Sequence, residues 1–142
     1  MTKELGIILT DMKKNKITPY PKTLETLKKL KKNFKLGVIS NAYEPKIFSA
    51  INREYKISDL FDYIVLSYEV EMLKPDPRIF DFILKKLQVK KEETVMIGDT
   101  LEDDVKAAEN AGIKGILFDV KNKHPDYPKR ILSLDEIYKY LE

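Results

Sequence analysis

The segment that most constrains the fold is residues 92–112, EETVMIGDTLEDDVKAAENAG. Its apolar run ends at Gly98-Asp99, and a second pair of carboxylates, Asp103-Asp104, follows at the start of a helical pattern. A short apolar run bounded by turn residues is typical of a buried parallel strand. In open α/β sheets, ligands bind at the carboxyl ends of the strands. The segment therefore predicts a strand that presents Asp99 at the ligand-binding edge of a parallel sheet.

Predicted strands and helices alternate along most of the chain. Strands are predicted at 35–40, 62–67, 93–98 and 114–119, and helices at 21–33, 45–57, 76–88, 102–111 and 133–141. Gly112 is expected to end the fourth helix, and Ser133 with Glu136 to form a capping box on the last. Alternation of this kind predicts a parallel sheet with helices on both faces. We expect one α/β domain over residues 1–142, with a three-layer α/β/α Rossmann-like fold and a mostly parallel sheet. Residues 1–18 form an atypical N-terminal segment.

Composition excludes several classes of site and partner. The chain has 142 residues, no cysteine, 26 basic and 23 acidic residues. The lack of cysteine excludes disulfides and thiolate metal sites and favours a reducing, cytoplasmic location. The lysines are scattered beside glutamates, whereas a nucleic-acid-binding surface would be clustered and richer in arginine. No apolar stretch approaches the roughly 20 residues of a membrane span. We therefore expect neither a nucleic acid nor a membrane as partner. Abundant Lys and Glu without Cys also fits a thermophile.

Polar residues lie at the carboxyl ends of four successive predicted strands. They are Ser40-Asn41, the loop with Lys74, Asp99 with Asp104, and Asp119. Carboxylates at such an edge suit Mg²⁺, with phosphate oxygens filling the remaining positions. Each residue also has a structural interpretation, as a strand end, a helix cap or a surface group. For Asp103 and His124 the surface interpretation is the preferred one, and for Asp11 the interpretation as a turn residue is preferred.

Three segments together resemble the haloacid dehalogenase-like superfamily of hydrolases, especially its small-molecule phosphatases. They are YPKTLETLKKLKKNFKLGVISNA, LSYEVEMLKPDPRIFDFILKKLQV and VMIGDTLEDDVKAAENAGIKGILFD. The resemblance implies that Ser40 hydrogen-bonds a phosphoryl oxygen, helped by backbone N–H groups near Asn41. It implies that Lys74 neutralises charge on the nucleophile and on the phosphoryl group. Such an electrostatic clamp is what phosphoryl transfer requires.

The same resemblance implies a magnesium cofactor and a small phosphorylated molecule as substrate. Asp99 would ligate Mg²⁺, and Asp104 would support the metal directly or through water. The motif GDTLEDD favours a phosphatase over a dehalogenase. The substrate itself is not predicted, because in this family a helical cap usually selects it and the chain has no room for a full cap before residue 21.

The N-terminal 20 residues depart from the family pattern. The family begins with a strand ending in Asp-x-Asp-x-Thr, whose first aspartate is the nucleophile, and no such motif exists here. In one interpretation LGIILTDM is a shortened first strand, with Leu9 in place of the nucleophile and Asp11 near the active edge. In the other, these residues are a cap remnant and the strand is missing. A missing central strand would leave unpaired backbone groups, each costing roughly 1–3 kcal/mol, which favours the first interpretation.

The expected function is therefore magnesium-dependent phosphoester hydrolysis by a domain that is catalytically incomplete alone. The candidate catalytic residues are Ser40, Asn41, Lys74 and Asp11, and the candidate metal ligands are Asp99 and Asp104. One alternative is a non-catalytic protein that binds phosphate and metal for regulation. Another is a part of a larger hydrolase, completed by a second polypeptide or by another copy of this chain.

Overall fold

The computed structural model describes residues 4–7, 20–41, 49, 53 and 56–141, with the backbone alone at 4–7 and 57. The strands are β1 Glu4–Ile7, β2 Lys35–Ser40, β3 Tyr63–Leu66, β4 Thr94–Gly98, β5 Lys114–Phe118 and β6 Arg130–Ile131. They form one six-stranded sheet in the order β3-β2-β1-β4-β5-β6. Every neighbouring pair is parallel, which confirms the predicted sheet.

The helices lie between the strands, as predicted. They are α1 Thr23–Lys31, α2 Ser67–Val70, α3 Pro77–Leu87 and α4 Ala107–Asn110, with 3₁₀ turns at Ile57–Leu60, Lys91–Glu93 and Leu134–Tyr140. A π-helical turn, Leu101–Lys106, leads directly into α4. Most of the predicted helix 45–57 lies outside the described residues. Within the described part of the chain, no helix combines the length and apolar character of a membrane span.

Alternate residues of the sheet pack against different helices. On one face, Val38 of β2 shares a buried cluster with Leu27 and Leu30 of α1. On the other face, Ile39 shares a cluster with Phe80 of α3 and with Ala108 of α4. Successive side chains of a strand point to opposite faces, so β2 contributes to both clusters, and β4 does the same through Val95 and Met96. The three-layer α/β/α fold is confirmed.

The central position of the sheet is filled by β1. Leu5 pairs with Leu36 of β2 on one side and with Val95 of β4 on the other. This arrangement matches the first interpretation of the N-terminal segment, in which a shortened strand replaces the usual one. The strand covers Glu4–Ile7, so Leu9 and Asp11 lie outside the described residues.

One of the two predicted helix ends is confirmed and the other is wrong. Gly112 has a φ of 87° and its N–H bonds to the Glu109 carbonyl at 3.0 Å, as expected for a glycine that ends a helix. The capping box is absent, because the Ser133 hydroxyl donates to the Asp135 carboxylate instead. The Glu136 carboxylate accepts from the N–H of Leu132, at 3.1 Å, rather than from Ser133. The segment is accordingly a 3₁₀ turn and not an α-helix.

Candidate active site

The predicted site residues lie at the carboxyl ends of the strands on both sides of β1. Ser40 is the last residue of β2 and is only 6% exposed, with Asn41 directly after it. Asp99 directly follows Gly98, the last residue of β4. Since β2 and β4 flank β1, these side chains are brought to the middle of the ligand-binding edge, as the sequence predicted.

Lys74 and Asp104 form a buried ion pair at this edge. The Lys74 Nζ donates to the Asp104 Oδ1 over 2.6 Å, and the two side chains are 3% and 1% exposed. Desolvating two charges costs so much that a buried ion pair contributes little net stability. The pair is therefore better understood as a way to hold a cation in a defined place than as a source of stability.

The backbone of Lys74 is held by the side chain of Asn41. The Asn41 Oδ1 accepts from the Lys74 N–H at 2.9 Å, and the Asn41 Nδ2 donates to the Lys74 carbonyl at 3.1 Å. The sequence singled out Asn41 for the N–H groups near it, and the structure shows a different use of its side chain. Asn41 links the end of β2 to the loop that carries Lys74.

The Asp104 carboxylate is enclosed by the turn that follows β4. Its Oδ2 accepts from the Thr100 N–H at 3.1 Å. A Cβ placed on Gly98 would lie 2.3 Å from the Asp104 Cβ, so only glycine leaves room for this carboxylate. Burial raises the pKa of Asp104. The charge and hydrogen bond of Lys74, together with the hydrogen bond from the Thr100 N–H, offset only part of that rise.

The π-helical turn determines which carboxylate points inward. The N–H groups of Asp104 and Val105 both reach the Thr100 carbonyl, at 3.0 and 3.3 Å, which widens the first turn after β4. Asp104 is fully buried, whereas its neighbour Asp103 is exposed. π-Helical turns occur often at functional sites. The preferred interpretation of Asp103 as a surface residue is confirmed.

Asp99 is the exposed carboxylate of the site. Its Oδ1 accepts from the Thr100 hydroxyl at 3.2 Å. Among the described residues, no three carboxylate or histidine side chains cluster closely enough to hold a metal ion. Magnesium needs only one or two carboxylates when water and phosphate oxygens complete its shell. Asp99 therefore fits such an ion, while both oxygens of Asp104 already accept hydrogen bonds, and the metal-binding role of the pair remains a prediction.

Asp119, at the end of β5, belongs to a different network. It is 4% exposed and accepts from the N–H groups of Lys123 and His124, each at 2.9 Å, and from the Arg130 Nε at 3.2 Å. The Arg130 Nη2 also donates to the Asn122 Oδ1 at 2.5 Å. These bonds fix the loop between β5 and β6, so Asp119 has a structural role.

Sequence reasoning missed Thr100. This residue contacts both carboxylates, since its hydroxyl donates to Asp99 and its N–H to Asp104. Residue type does not reveal a backbone donor, because nearly every residue has an N–H. Only the position of Thr100 between the two aspartates could have suggested its role. The predicted candidate Asp11 lies outside the described residues, and its role stays a prediction.

Comparisons with known proteins identify the family of the chain. The family model for haloacid dehalogenase-like hydrolases matches residues 1–118. The glyceraldehyde 3-phosphate phosphatase of Methanothermobacter thermautotrophicus is 40% identical over 102 residues, which are 71% of this chain and 45% of that protein. The chain spans about half the length of the curated relatives it matches.

Solved structures show the same fold. The HAD phosphatase from Thermococcus onnurineus superposes with a TM-score of 0.74 at 31% identity, over 86% of this chain and 57% of that one. An uncharacterized protein from Listeria monocytogenes serotype 4b superposes with a TM-score of 0.80 at 26% identity. That match covers 98% of this chain and 96% of the other.

Proposed function

Since the chain belongs to the haloacid dehalogenase-like hydrolase family, we propose that it binds a small phosphorylated molecule together with magnesium, at a site built for phosphoester hydrolysis. The observation that carries this proposal is the placement of Lys74. This lysine is buried, its ammonium is bonded to Asp104 and its backbone to Asn41, at the edge of the sheet where ligands bind. Curated relatives that act on phosphate esters support the same reaction class.

The residues at this edge divide the work by their chemistry. The Ser40 hydroxyl can donate a hydrogen bond to a phosphoryl oxygen, and Lys74 offsets the negative charge of the phosphoryl group. Asp99 would hold Mg²⁺, which neutralises further charge on phosphate oxygens. In the hydrolysis, the water oxygen becomes bonded to phosphorus, the ester P–O bond breaks, and the leaving alkoxide oxygen takes up the proton that the water loses.

The missing nucleophile limits this chemistry. The sequence contains no Asp-x-Asp-x-Thr, and the first acidic residue that follows β1 in the sequence is Asp11. We therefore propose that the chain turns over phosphoesters weakly or not at all by itself. Asp11 is the first candidate to test for the missing carboxylate.

The same missing motif favours a second function, binding of phosphate and metal without hydrolysis. Calorimetric titration with magnesium and phosphate tests this second function, because heat of binding supports it and the absence of heat at millimolar ligand counts against it. Completion of the site by another polypeptide, or by another copy of this chain, is a third proposal. A monodisperse monomer in light scattering, with cooperative unfolding, would exclude obligatory assembly.

The test of the leading proposal is phosphate release from p-nitrophenyl phosphate by the purified chain, with magnesium and with a chelator. Asp99→Asn is the matched variant, because it keeps the size of the side chain and removes the charge that binds metal. We expect at most slow release, present with magnesium and lost in Asp99→Asn. Vigorous magnesium-dependent turnover lost in the variant would contradict the proposed incompleteness. Release that is unaffected by chelator and variant would contradict the assigned site.

A further inference from the structure

We infer that Asn41 is a positioning residue that makes Ser40 and Lys74 one preassembled anion-binding unit. The inference rests on the proposed phosphate-binding function and extends it to a residue that does not itself have to contact the ligand. Two parts of the chain must be aligned for such a unit, the end of β2 and the loop before α3. The Asn41 carboxamide is the group that joins them.

The two hydrogen bonds of Asn41 fix both the position and the orientation of the Lys74 backbone. One bond goes to the N–H and the other to the carbonyl of the same residue, at 2.9 and 3.1 Å. Two residues facing each other in an antiparallel sheet also exchange an N–H and a carbonyl in this way. A single bond would leave the loop free to rotate about it, whereas the pair defines the direction in which the Lys74 side chain leaves the backbone.

The other end of the Lys74 side chain is fixed by Asp104. Fixing a flexible lysine costs rotamer entropy, and here folding has already ordered the side chain at both ends. A ligand then does not have to order the cation when it binds, which is how a preorganised site gains affinity. Asp104 alone cannot do this, because the ammonium could follow its carboxylate while the backbone of the loop shifted.

Ser40 is tied to the same unit because it directly precedes Asn41. It is the last residue of β2 and pairs with Leu66, the last residue of β3. The sheet thus holds Ser40, and Asn41 transfers that fixed position to Lys74. Losing the Asn41 carboxamide is expected to misalign the Ser40 hydroxyl, which is the predicted hydrogen-bond donor to phosphate, and the Lys74 ammonium. Both groups would still be present.

Two variants and one control test the inference. Asn41→Ala removes both bonds. Asn41→Asp keeps the size and the acceptor for the Lys74 N–H, but it places a second oxygen against the Lys74 carbonyl in place of the donor. Asn33→Ala makes the same change at an exposed asparagine after α1, and it reports what the loss of a surface carboxamide does.

The first measurement is the dissociation constant of inorganic phosphate, with magnesium, by calorimetry. We expect both Asn41 variants to bind about tenfold more weakly, a change that corresponds to about 1.4 kcal/mol, and Asn33→Ala to bind like the wild type. The second measurement is amide hydrogen exchange by NMR, comparing the Lys74 N–H with that of Ile116 in β5. Exchange should become faster at the Lys74 N–H and stay unchanged at the Ile116 N–H. A general loss of stability would instead speed up exchange at both residues.

Each outcome decides between the inference and the proposed function. If the wild type binds phosphate and both Asn41 variants bind it equally well, the inference is overturned and the proposed function stands. A wild type that binds no phosphate overturns the function, and the exchange of Lys74 in the variants then decides the positioning role alone. If neither variant folds, the wild-type protein still gives an answer, since rapid exchange of its own Lys74 N–H would overturn the inference.

Discussion

Asp104 and Asp119 invite comparison because they are both buried aspartates near the carboxyl ends of adjacent strands. Their exposed fractions are 0% and 4%, and each accepts from a basic side chain. Nevertheless the pKa of Asp104 is raised and that of Asp119 is lowered. A neighbouring opposite charge, which the two share, therefore does not by itself determine the direction.

The difference lies in how deeply each carboxyl is buried and in its backbone donors. Burial would also raise the pKa of Asp119, but the N–H groups of His124 and Lys123, with the Arg130 guanidinium, more than offset it. Asp104 receives one backbone N–H, from Thr100, and has the like charge of Asp99 nearby. A loop folded around its carboxylate stabilises the charged form of Asp119, while Asp104 is arranged to hold Lys74. The first environment is typical of a structural residue and the second of a functional one.

Among the variants that distinguish Asp104 from Asp119, Asp104→Asn is expected to have the largest effect on stability and on phosphate binding. The variant keeps the shape of the side chain but leaves the Lys74 ammonium buried without a carboxylate. We expect the free energy of unfolding to fall by about 3–5 kcal/mol, and phosphate binding to be lost. Urea unfolding and calorimetry measure the two effects.

A double variant is the control for this prediction. Replacing both partners, with Lys74→Met and Asp104→Leu, removes the charges together, and such replacements are often neutral for stability. The double variant should therefore regain most of the lost stability without regaining phosphate binding. If the double variant is as unstable as Asp104→Asn, the cost comes from lost packing and not from the uncompensated charge.

A smaller effect is expected from Asp119→Asn. The amide oxygen can still accept from one backbone N–H, while the bond to Arg130 loses its charge. We expect a loss of about 1–3 kcal/mol in the free energy of unfolding and unchanged phosphate binding. A loss of phosphate binding without a loss of stability would place Asp119 in the site and remove the distinction drawn above.

The regular elements of the fold followed from the sequence. The predicted strand 93–98 and helix 76–88 are each within one residue of the observed ends, because hydrophobic periodicity reports a face that must be buried. β6 was missed, since the two residues Arg130 and Ile131 are too few to show any period. The capping box failed because Ser133 and Glu136 each found another local partner.

The site was predicted as a set of residues but not as a network. The pairing of Lys74 with Asp104 spans 30 residues of sequence, and no local pattern encodes which of several rim carboxylates a lysine will contact. The π-helical turn determines which carboxylate Lys74 contacts, because it turns Asp104 inward and leaves Asp103 exposed. Backbone donors such as the Thr100 N–H are equally invisible, because every residue other than proline carries one.

The smallest expected effect is the dependence of stability on pH, because the two aspartates act in opposite directions. The lowered pKa of Asp119 gives stability that is present above its unfolded value of about 3.9 and is lost as pH falls through the folded value below it. The raised pKa of Asp104 gives stability that is present below about 3.9 and is lost as pH rises through the folded value above it. In the wild type the two contributions partly cancel.

Urea unfolding between about pH 3 and pH 7, without magnesium, separates the two contributions. At each pH, the free energy of unfolding of each variant is subtracted from that of the wild type. The subtraction removes the titration of the other carboxyl groups, which all the chains share. The difference between wild type and Asp119→Asn should shrink as pH falls below about 3.9. The difference between wild type and Asp104→Asn should instead shrink as pH rises above about 3.9, because folding favours the protonated carboxyl of Asp104 and the wild type loses that contribution when the group ionises. Differences that run in the same direction would mean that the two aspartates share one kind of environment.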